Sequence, residues 1–166
     1  MKKTMIILAA LMLLGGTAKA QWNIGARIND GWGLGAEFSV QKLFSDANRL
    51  ELDFGAAWTT PVVGYHHDLV TTVTGAYHWT FPIVKGLQWF VGPGAQVGIH
   101  NVFYDDNVSS DEMHFRLAAV GQVGIEYNFD FPLQLAVDAR PGIDLLGFSH
   151  DQAWIYTYAF SVRYRF

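Results

Sequence analysis

Cysteine is absent from this sequence of 166 residues, which excludes disulfides, thiolate metal sites and the lipidated cysteine of a bacterial lipoprotein. Charged residues are scarce, at 16% against a usual value of about 25%. With 11 basic and 15 acidic residues, the chain lacks the basic surplus that nucleic-acid binding requires. Long hydrophobic runs are missing too: after residue 20, polar residues interrupt every apolar stretch, so no segment approaches the roughly 20 apolar residues of a membrane-spanning helix.

The first twenty residues have the three parts of a secretory signal peptide. Lys2 and Lys3 give a charged start, residues 5–14 form an apolar run, and Ala18-Lys19-Ala20 gives a small-x-small cleavage site. We therefore expect a signal peptide over residues 1–20 and a mature domain over residues 21–166. Removal of the signal peptide would leave eight basic residues against 15 acidic ones, a net charge of −7.

The mature chain is rich in a simple alternation of large apolar residues with small or charged ones. The alternation is clearest at the end of the chain, where every second residue is large and apolar or aromatic: Trp154, Tyr156, Tyr158, Phe160, Val162, Tyr164 and Phe166. A period of two places successive side chains on opposite faces of a strand. The same pattern predicts eight strands, at residues 22–29, 34–41, 50–58, 68–79, 87–99, 113–127, 133–140 and 153–166.

An even number of strands returns both ends of the mature chain to one side, which is the periplasmic side in outer-membrane barrels. The turns near residues 45, 83 and 130 would then face the periplasm. The loop near residue 31 and the longer loops 59–67, 100–112 and 141–152 would face outward. Pro93, inside the fifth strand, is expected at a bulge or a local break in strand pairing.

The apolar face of these strands carries almost no charge, whereas the opposite face carries glycine, alanine, serine and most of the ionised residues. A soluble barrel of lipocalin type needs the reverse, with large apolar side chains inside. An interior of eight strands has room for small side chains and a few charges, but not for rows of Trp, Tyr and Phe. The predicted fold class is therefore all-β, an eight-stranded antiparallel up-and-down transmembrane β-barrel, with aromatic residues near strand ends in two interfacial girdles.

The inward-facing charges nearly balance. Because buried charge is costly unless it is paired, we expect them to form a hydrogen-bonded network in the lumen. The predicted network comprises Arg27, Glu37, Glu51, Asp53, Asp68, Arg116, Glu126, Asp138, Arg140, Arg163 and Arg165, with His78 and His114 as further members. In a barrel of this width the network predicts a packed interior that conducts little; a selective pore or a gate is the alternative.

Two sets of loop residues have the composition of a chemical site. Ser149-His150-Asp151 contains the residue types of a catalytic triad, but a triad is usually assembled from separated positions. A divalent metal site is conceivable in the outer loops, which hold His66, His67, His100, His150, Asp105, Asp106, Asp111 and Glu112. Solvated loop side chains explain both sets more simply, so we predict no enzyme activity, no cofactor and no metal site.

With the strands placed, residues 21–166 resemble the small eight-stranded outer-membrane barrels, of the outer-membrane protein X type and the membrane domain of outer-membrane protein A. The resemblance is carried by the cleavage site Ala18-Lys19-Ala20, by the glycine-rich strand Trp89-Phe-Val-Gly-Pro-Gly-Ala-Gln-Val-Gly98 and by the terminal Tyr164-Arg165-Phe166. In that group a C-terminal aromatic residue on the last strand resembles the recognition signal for the barrel-assembly machinery. The resemblance implies that role for Tyr164 and Phe166.

The resemblance also implies a location in the cell outer membrane, in contact with lipid and lipopolysaccharide, and a monomeric state. Reported roles in the group span adhesion, host interaction, envelope integrity and narrow transport. The function implied for this chain is structural or surface-interacting, with a possible extracellular partner at the loops. A narrow channel for small solutes and a lipid-modifying enzyme are the alternatives.

Overall fold

The computed structural model describes residues 21–30, 35–59, 66–104, 112–146 and 154–166; for 58–59, 66–68, 100, 102–104 and 112–113 it describes the backbone alone. Eight strands succeed one another: β1 (Trp22–Asn29), β2 (Gly35–Leu43), β3 (Asn48–Thr59), β4 (His66–Val84), β5 (Leu87–Tyr104), β6 (Glu112–Asn128), β7 (Leu133–Leu146) and β8 (Trp154–Arg165). Each pairs antiparallel with its sequence neighbours, and β8 pairs with β1, so the sheet closes into a barrel. The predicted fold class is confirmed. No helix in the described ranges is long and apolar enough to cross a membrane.

The strand register fixes the tilt of the barrel. A path through hydrogen-bonded neighbours leads from Ile24 on β1 through Val40, Ala95 and Ala119 to Trp154 on β8. The β8 partner of Ile24 is Tyr164, and Tyr164 lies ten residues along β8 from Trp154, so one circuit climbs ten residues. Such a stagger over eight strands corresponds to a tilt of about 40° from the axis. Each residue then adds about 2.4 Å of height, and each step to the next strand along the path about 3 Å.

Side chains alternate between the two faces of the wall as predicted. Phe54 and Phe160 are 49% and 46% exposed, whereas Asp53 and Arg163 are each 1% exposed. The large apolar side chains therefore point away from the barrel axis and the ionised ones point toward it. This arrangement excludes a soluble barrel of lipocalin type, in which the two sets would be exchanged.

Aromatic side chains gather at the end of the barrel that holds the chain termini. Among the described residues at this end, five pairs have ring centroids between 4.6 and 5.4 Å apart: Tyr77–Trp79, Phe81–Trp89, Tyr127–Phe129, Phe129–Phe131 and Tyr164–Phe166. Aromatic rings prefer the boundary between hydrocarbon and headgroups. The rings thus mark the level of one membrane interface, as the strand-end aromatics predicted.

Three strands extend by two or more residues into segments predicted as loops. β4 begins at His66 and continues to Val84, β5 continues to Tyr104 and β7 to Leu146. The predicted loops 59–67, 100–112 and 141–152 are therefore too long, and the predicted turn near residue 83 is wrong in extent. Its reversal is confined to Lys85 and Gly86, where Gly86 adopts a φ of 80° that suits glycine.

A proline explains why the predicted end of β7 is too early. Proline lacks the N–H that a strand ladder uses, so the sequence predicts that β7 ends before Pro141. The β6–β7 pairing instead omits Arg140 and Pro141 and resumes at Gly142. The β4–β5 pairing omits Gly92 and Pro93 in the same way. Pro93 thus lies at a local break in the ladder, as predicted.

The outward position of Phe54 gives a test of the wall's orientation. In phospholipid vesicles, Phe54→Arg should lower the free energy of unfolding by about 2–4 kcal/mol, because an arginine near the middle of the bilayer is poorly solvated. Phe54→Leu is the matched control and should cost much less. Urea titration of both variants measures the difference. Equal stabilities would contradict the orientation.

Candidate functional site

Arginines from five strands converge inside the barrel. Strand alternation turns them inward, and each is at most 2% exposed: Arg27 on β1, Arg49 on β3, Arg116 on β6, Arg140 on β7 and Arg163 on β8. Carboxylates reach the same space from β2, β3, β6 and β7. Between Arg49 and Arg27, buried charged and amide side chains contact one another. We name this set of side chains the interior network.

Arg140 is the centre of the interior network. Its Nη2 donates to Asp53 and, at 3.0 Å, to Gln122 Oε1. Its guanidinium also lies 3.5 Å from Glu37 and 3.6 Å from Glu51. A single cation from β7 is therefore shared among three carboxylates of β2 and β3, which would repel one another without it.

Arg27 forms a forked pair near the middle of the barrel. Its Nη2 and Nε donate to the two carboxylate oxygens of Asp138 at 2.6 and 3.3 Å, and its Nη1 donates to Glu37 at 2.6 Å. Paired, charge-assisted bonds of this geometry are the strongest that arginine forms. They connect β1 with β7, two strands that are not neighbours in the sheet.

A second part of the interior network lies closer to the chain termini. Arg49 Nη1 donates to Glu126 at 2.6 Å, and its Nε donates to His78 Nδ1 at 3.3 Å. Since His78 Nδ1 accepts this bond, its proton is on Nε2, which lies 3.2 Å from Gln122 Oε1. Phe90 packs against both groups, with its ring 4.8 Å from the imidazole and 4.7 Å from the guanidinium. His78 is therefore a neutral network member and not a free base.

Glu51 joins the two parts. One of its oxygens accepts from Gln41, and the other accepts from Gln122 at 3.2 Å and lies 3.1 Å from Arg163. Arg163 in turn donates to Ser39 at 2.9 Å. Amide side chains thus lie between the charged ones. In the described part of the barrel, polar contacts connect opposite sides of the wall through the interior.

Three other predicted members, Arg116, Arg165 and His114, lie outside this cluster. Arg116 is buried but pairs with Asp144 at 2.6 Å, nearer the loop end of the barrel. Arg165 donates to the carbonyl of Phe129 at the turn end, and His114 is exposed. The side chain of Asp68 lies outside the described residues.

Sequence reasoning missed Arg49, Asp144 and the amides Gln41 and Gln122 as members or partners of inward-facing pairs. Arg49 was overlooked because it follows the polar turn 45–48, although it has the same strand parity as Glu51 and Asp53 and therefore faces inward with them. Asp144 was assigned to a loop because β7 was ended at Pro141. Parity, extended one turn further, would have found both.

The two sets of loop residues considered for chemistry fall largely outside the described part of the chain. Ser149-His150-Asp151 is not described, nor are Asp105, Asp106, Asp111 and His150, and only the backbone is described for His66, His67, His100 and Glu112. Within the described residues, no cluster of three or more His, Asp or Glu side chains has the arrangement of a metal site.

Cavities lie on either side of the interior network. On the loop side, a cavity of about 30 Å³ is bounded by Glu37, Val70, Thr72, Gln96 and Ile155 among others. On the turn side, a wider mouth of about 560 Å³ is bounded by residues that include Pro82, Gln88, Phe129 and Arg165. The interior network separates these spaces, so the geometry is that of a cylinder closed near its middle.

No protein-family profile matches the sequence, and no curated protein sequence matches it at a significant level. Solved structures do match. The N-terminal β-barrel domain of OprF from Pseudomonas aeruginosa superposes with a TM-score of 0.63 at 19% identity, over 90% of this chain and 100% of that one. Neisserial surface protein A gives 0.67 at 12% identity, over 90% and 99%.

Ail, the attachment invasion locus protein of Yersinia pestis, gives a TM-score of 0.57 at 15% identity, over 89% of this chain and 98% of that one. At these identities the likeness concerns the fold. The chain has the fold of the small eight-stranded outer-membrane barrels. The pattern of its terminal strand already resembled that of these proteins.

Arg140 gives a test of the interior network. Arg140→Met should cost about 3–5 kcal/mol of unfolding free energy in vesicles, because it leaves buried carboxylates without their shared cation. Replacing Asp53 with Leu in the same chain should recover part of that loss.

The matched control for Arg140→Met is Lys85→Met, which removes a surface pair with Asp130 whose side chains are both 88% exposed. Exposed pairs contribute less than about 1 kcal/mol. If Arg140→Met and Lys85→Met were equally stable, the interior network would have no structural role.

Proposed function

We propose that this chain is an outer-membrane protein with a closed interior, and that its function is structural or surface-interacting. One observation carries the proposal: the wall is apolar outside and charged inside. Soluble monomers rarely expose a continuous apolar surface of this extent, because contact with water is unfavourable. A closed barrel suits hydrocarbon because closure leaves the sheet without an unpaired edge.

The interior network supports the non-conducting form of this proposal. Arg27 and Arg140 reach across the lumen to Asp138 and Asp53, and neither arginine retains a solvated face. An ion crossing this level would have to separate pairs that have little access to replacement water, which is unfavourable. A narrow channel is the alternative, and it would require the network to open.

The surface-interacting part of the proposal concerns the loop end of the barrel. Ail was solved in complex with the heparin analogue sucrose octasulfate. For this chain we infer loop-mediated contacts of a different charge, because residues 105–111 contain Asp105, Asp106 and Asp111. Acidic side chains favour a basic partner, or lipopolysaccharide bridged by divalent cations, over a sulfated sugar.

Export and assembly complete the proposal. Residues 1–20 would be the signal peptide and residues 21–166 the monomeric mature barrel. The barrel-assembly machinery would recognise Tyr164 and Phe166; the Phe166 main-chain N–H donates to Trp22 at 2.9 Å, which holds this end against β1. We assign no catalytic role to the chain.

Conductance in planar bilayers tests the closed interior. The purified, refolded protein should insert without steady single-channel openings, because the interior network blocks the lumen. Heat-denatured protein from the same preparation controls for contaminating porins. Uniform openings that disappear on denaturation would overturn the closed interior and favour the narrow channel.

The terminal aromatic residue gives a test of assembly. Phe166→Ala should lower the amount of folded protein in the outer membrane several-fold, measured as the heat-modifiable band on a gel. Phe131→Ala is the matched control, since Phe131 is an exposed aromatic residue in a turn at the same end of the barrel. Equal loss in the two variants would argue against a recognition role for Phe166.

A further inference from the structure

The wall of the barrel is uneven in height. β1 and β2 contain 8 and 9 residues, whereas β4, β5 and β6 contain 19, 18 and 17. β1 and β2 form one hairpin, so the short strands lie side by side. We name their outward surface the β1–β2 face.

The lipid-facing apolar length differs accordingly. On β1 it runs from Trp22 to Ile28, about 15 Å of height, whereas on β5 it runs from Trp89 to Ile99, about 25 Å. The apolar band of outer-membrane barrels is about 25 Å tall, which β5 matches and β1 does not. The barrel cannot tilt in the membrane to compensate for the shorter apolar length of β1. The apolar surface of β4 also extends further at the turn end, to Ile83.

A charged residue lies at the top of the described part of the β1–β2 face. Asp30 follows β1 directly and is exposed, and its Oδ1 accepts from the Tyr158 main-chain N–H at 2.7 Å. Asp30 is six residues above Ile24, about 14 Å, and Ala119 is five strand steps along the register path, about 15 Å. Asp30 therefore lies at the height where β6 presents Ala119 to lipid. A carboxylate is strongly disfavoured in hydrocarbon at that depth.

The loop-side cavity is located behind the same short wall. Its lining includes Asn29 at the end of β1, Gly35 at the start of β2 and the outward-facing Ala56 of β3. Glu37 forms part of it at the level of the interior network. Polar groups thus lie both on and just inside the wall at a height where the opposite side of the barrel is apolar.

We propose that the headgroup layer of the outer leaflet dips along the β1–β2 face, so that water and lipid headgroups reach Asp30 and the loop-side cavity from the side of the barrel. The proposal rests on the outer-membrane placement proposed above. A bilayer thins next to a hydrophobic surface that is too short, and here the short surface occupies one side only. The partner of this face is the polar headgroup layer itself.

Two alanines provide a matched pair for the test. Val40 and Ala95 lie on one register path three strands apart, so Ala95 is about 9 Å higher. Ala36 lies four residues above Val40, about 10 Å. Ala36 and Ala95 are therefore at nearly the same height, and both face outward and are exposed. The chain has no cysteine, so each can be labelled alone.

The experiment uses Ala36→Cys and Ala95→Cys, each carrying a nitroxide spin label, in phosphatidylcholine vesicles of ordinary thickness. Collision rates are measured with oxygen, which concentrates in hydrocarbon, and with a water-soluble nickel chelate. The Ala36 label should collide with the nickel chelate several-fold more often than the Ala95 label, because headgroups and water reach it. The Ala95 label should collide mainly with oxygen.

The outcomes separate this proposal from the one on which it rests. Equal, oxygen-dominated collisions at both positions would overturn the dip and leave the membrane placement intact. Nickel-dominated collisions at both positions would overturn the membrane placement. A heat-modifiable band for each labelled variant shows that the barrel has folded in both cases.

Discussion

Backbone hydrogen bonding in hydrocarbon is the constraint on which this structure depends. Every N–H and C=O at membrane depth needs a partner, so the sheet must close on itself. Eight strands with a stagger of ten residues leave an interior that side chains can just fill. The size and polarity of the inward-facing residues follow from the width of that interior. The large apolar residues therefore lie on the outer surface.

The interior network fills the narrow, closed lumen of this barrel. Small residues alone would leave voids, and rows of large apolar ones would not fit. Arginines and carboxylates instead pair across the lumen, as Arg140 on β7 does with Asp53 on β3, or between nearby strands, as Arg27 does with Asp138 and Glu37. Buried ion pairs contribute little net stability to a fold, but they tolerate few alternative arrangements of the strands. We therefore interpret the interior network as fixing strand register more than adding stability.

The strand pattern could be predicted from the sequence because the period of two is unbroken from Trp154 to Phe166 and recurs in every strand. Which charges meet could not be predicted in the same way. Besides Gln41 on the neighbouring β2, Glu51 contacts residues of β6, β7 and β8, and the stagger of the barrel decides which inward residues share a level. The stagger is set by the pairing of all eight strands around the barrel. It cannot be predicted from any short stretch of sequence. Arg49 and Asp144 were missed for a different reason, since local turn signals ended their strands too early.

The distribution of charge along the chain has a consequence for how the barrel is made. Glu37, Glu51 and Asp53 belong to the first three strands, whereas two of the arginines that neutralise them, Arg140 and Arg163, belong to the last two. If the sheet entered the bilayer strand by strand, Glu51 and Asp53 would reach the membrane before Arg140 and Arg163, with which they pair. Because unpaired carboxylates are costly in hydrocarbon, we expect insertion of the first strands and closure of the barrel to occur together.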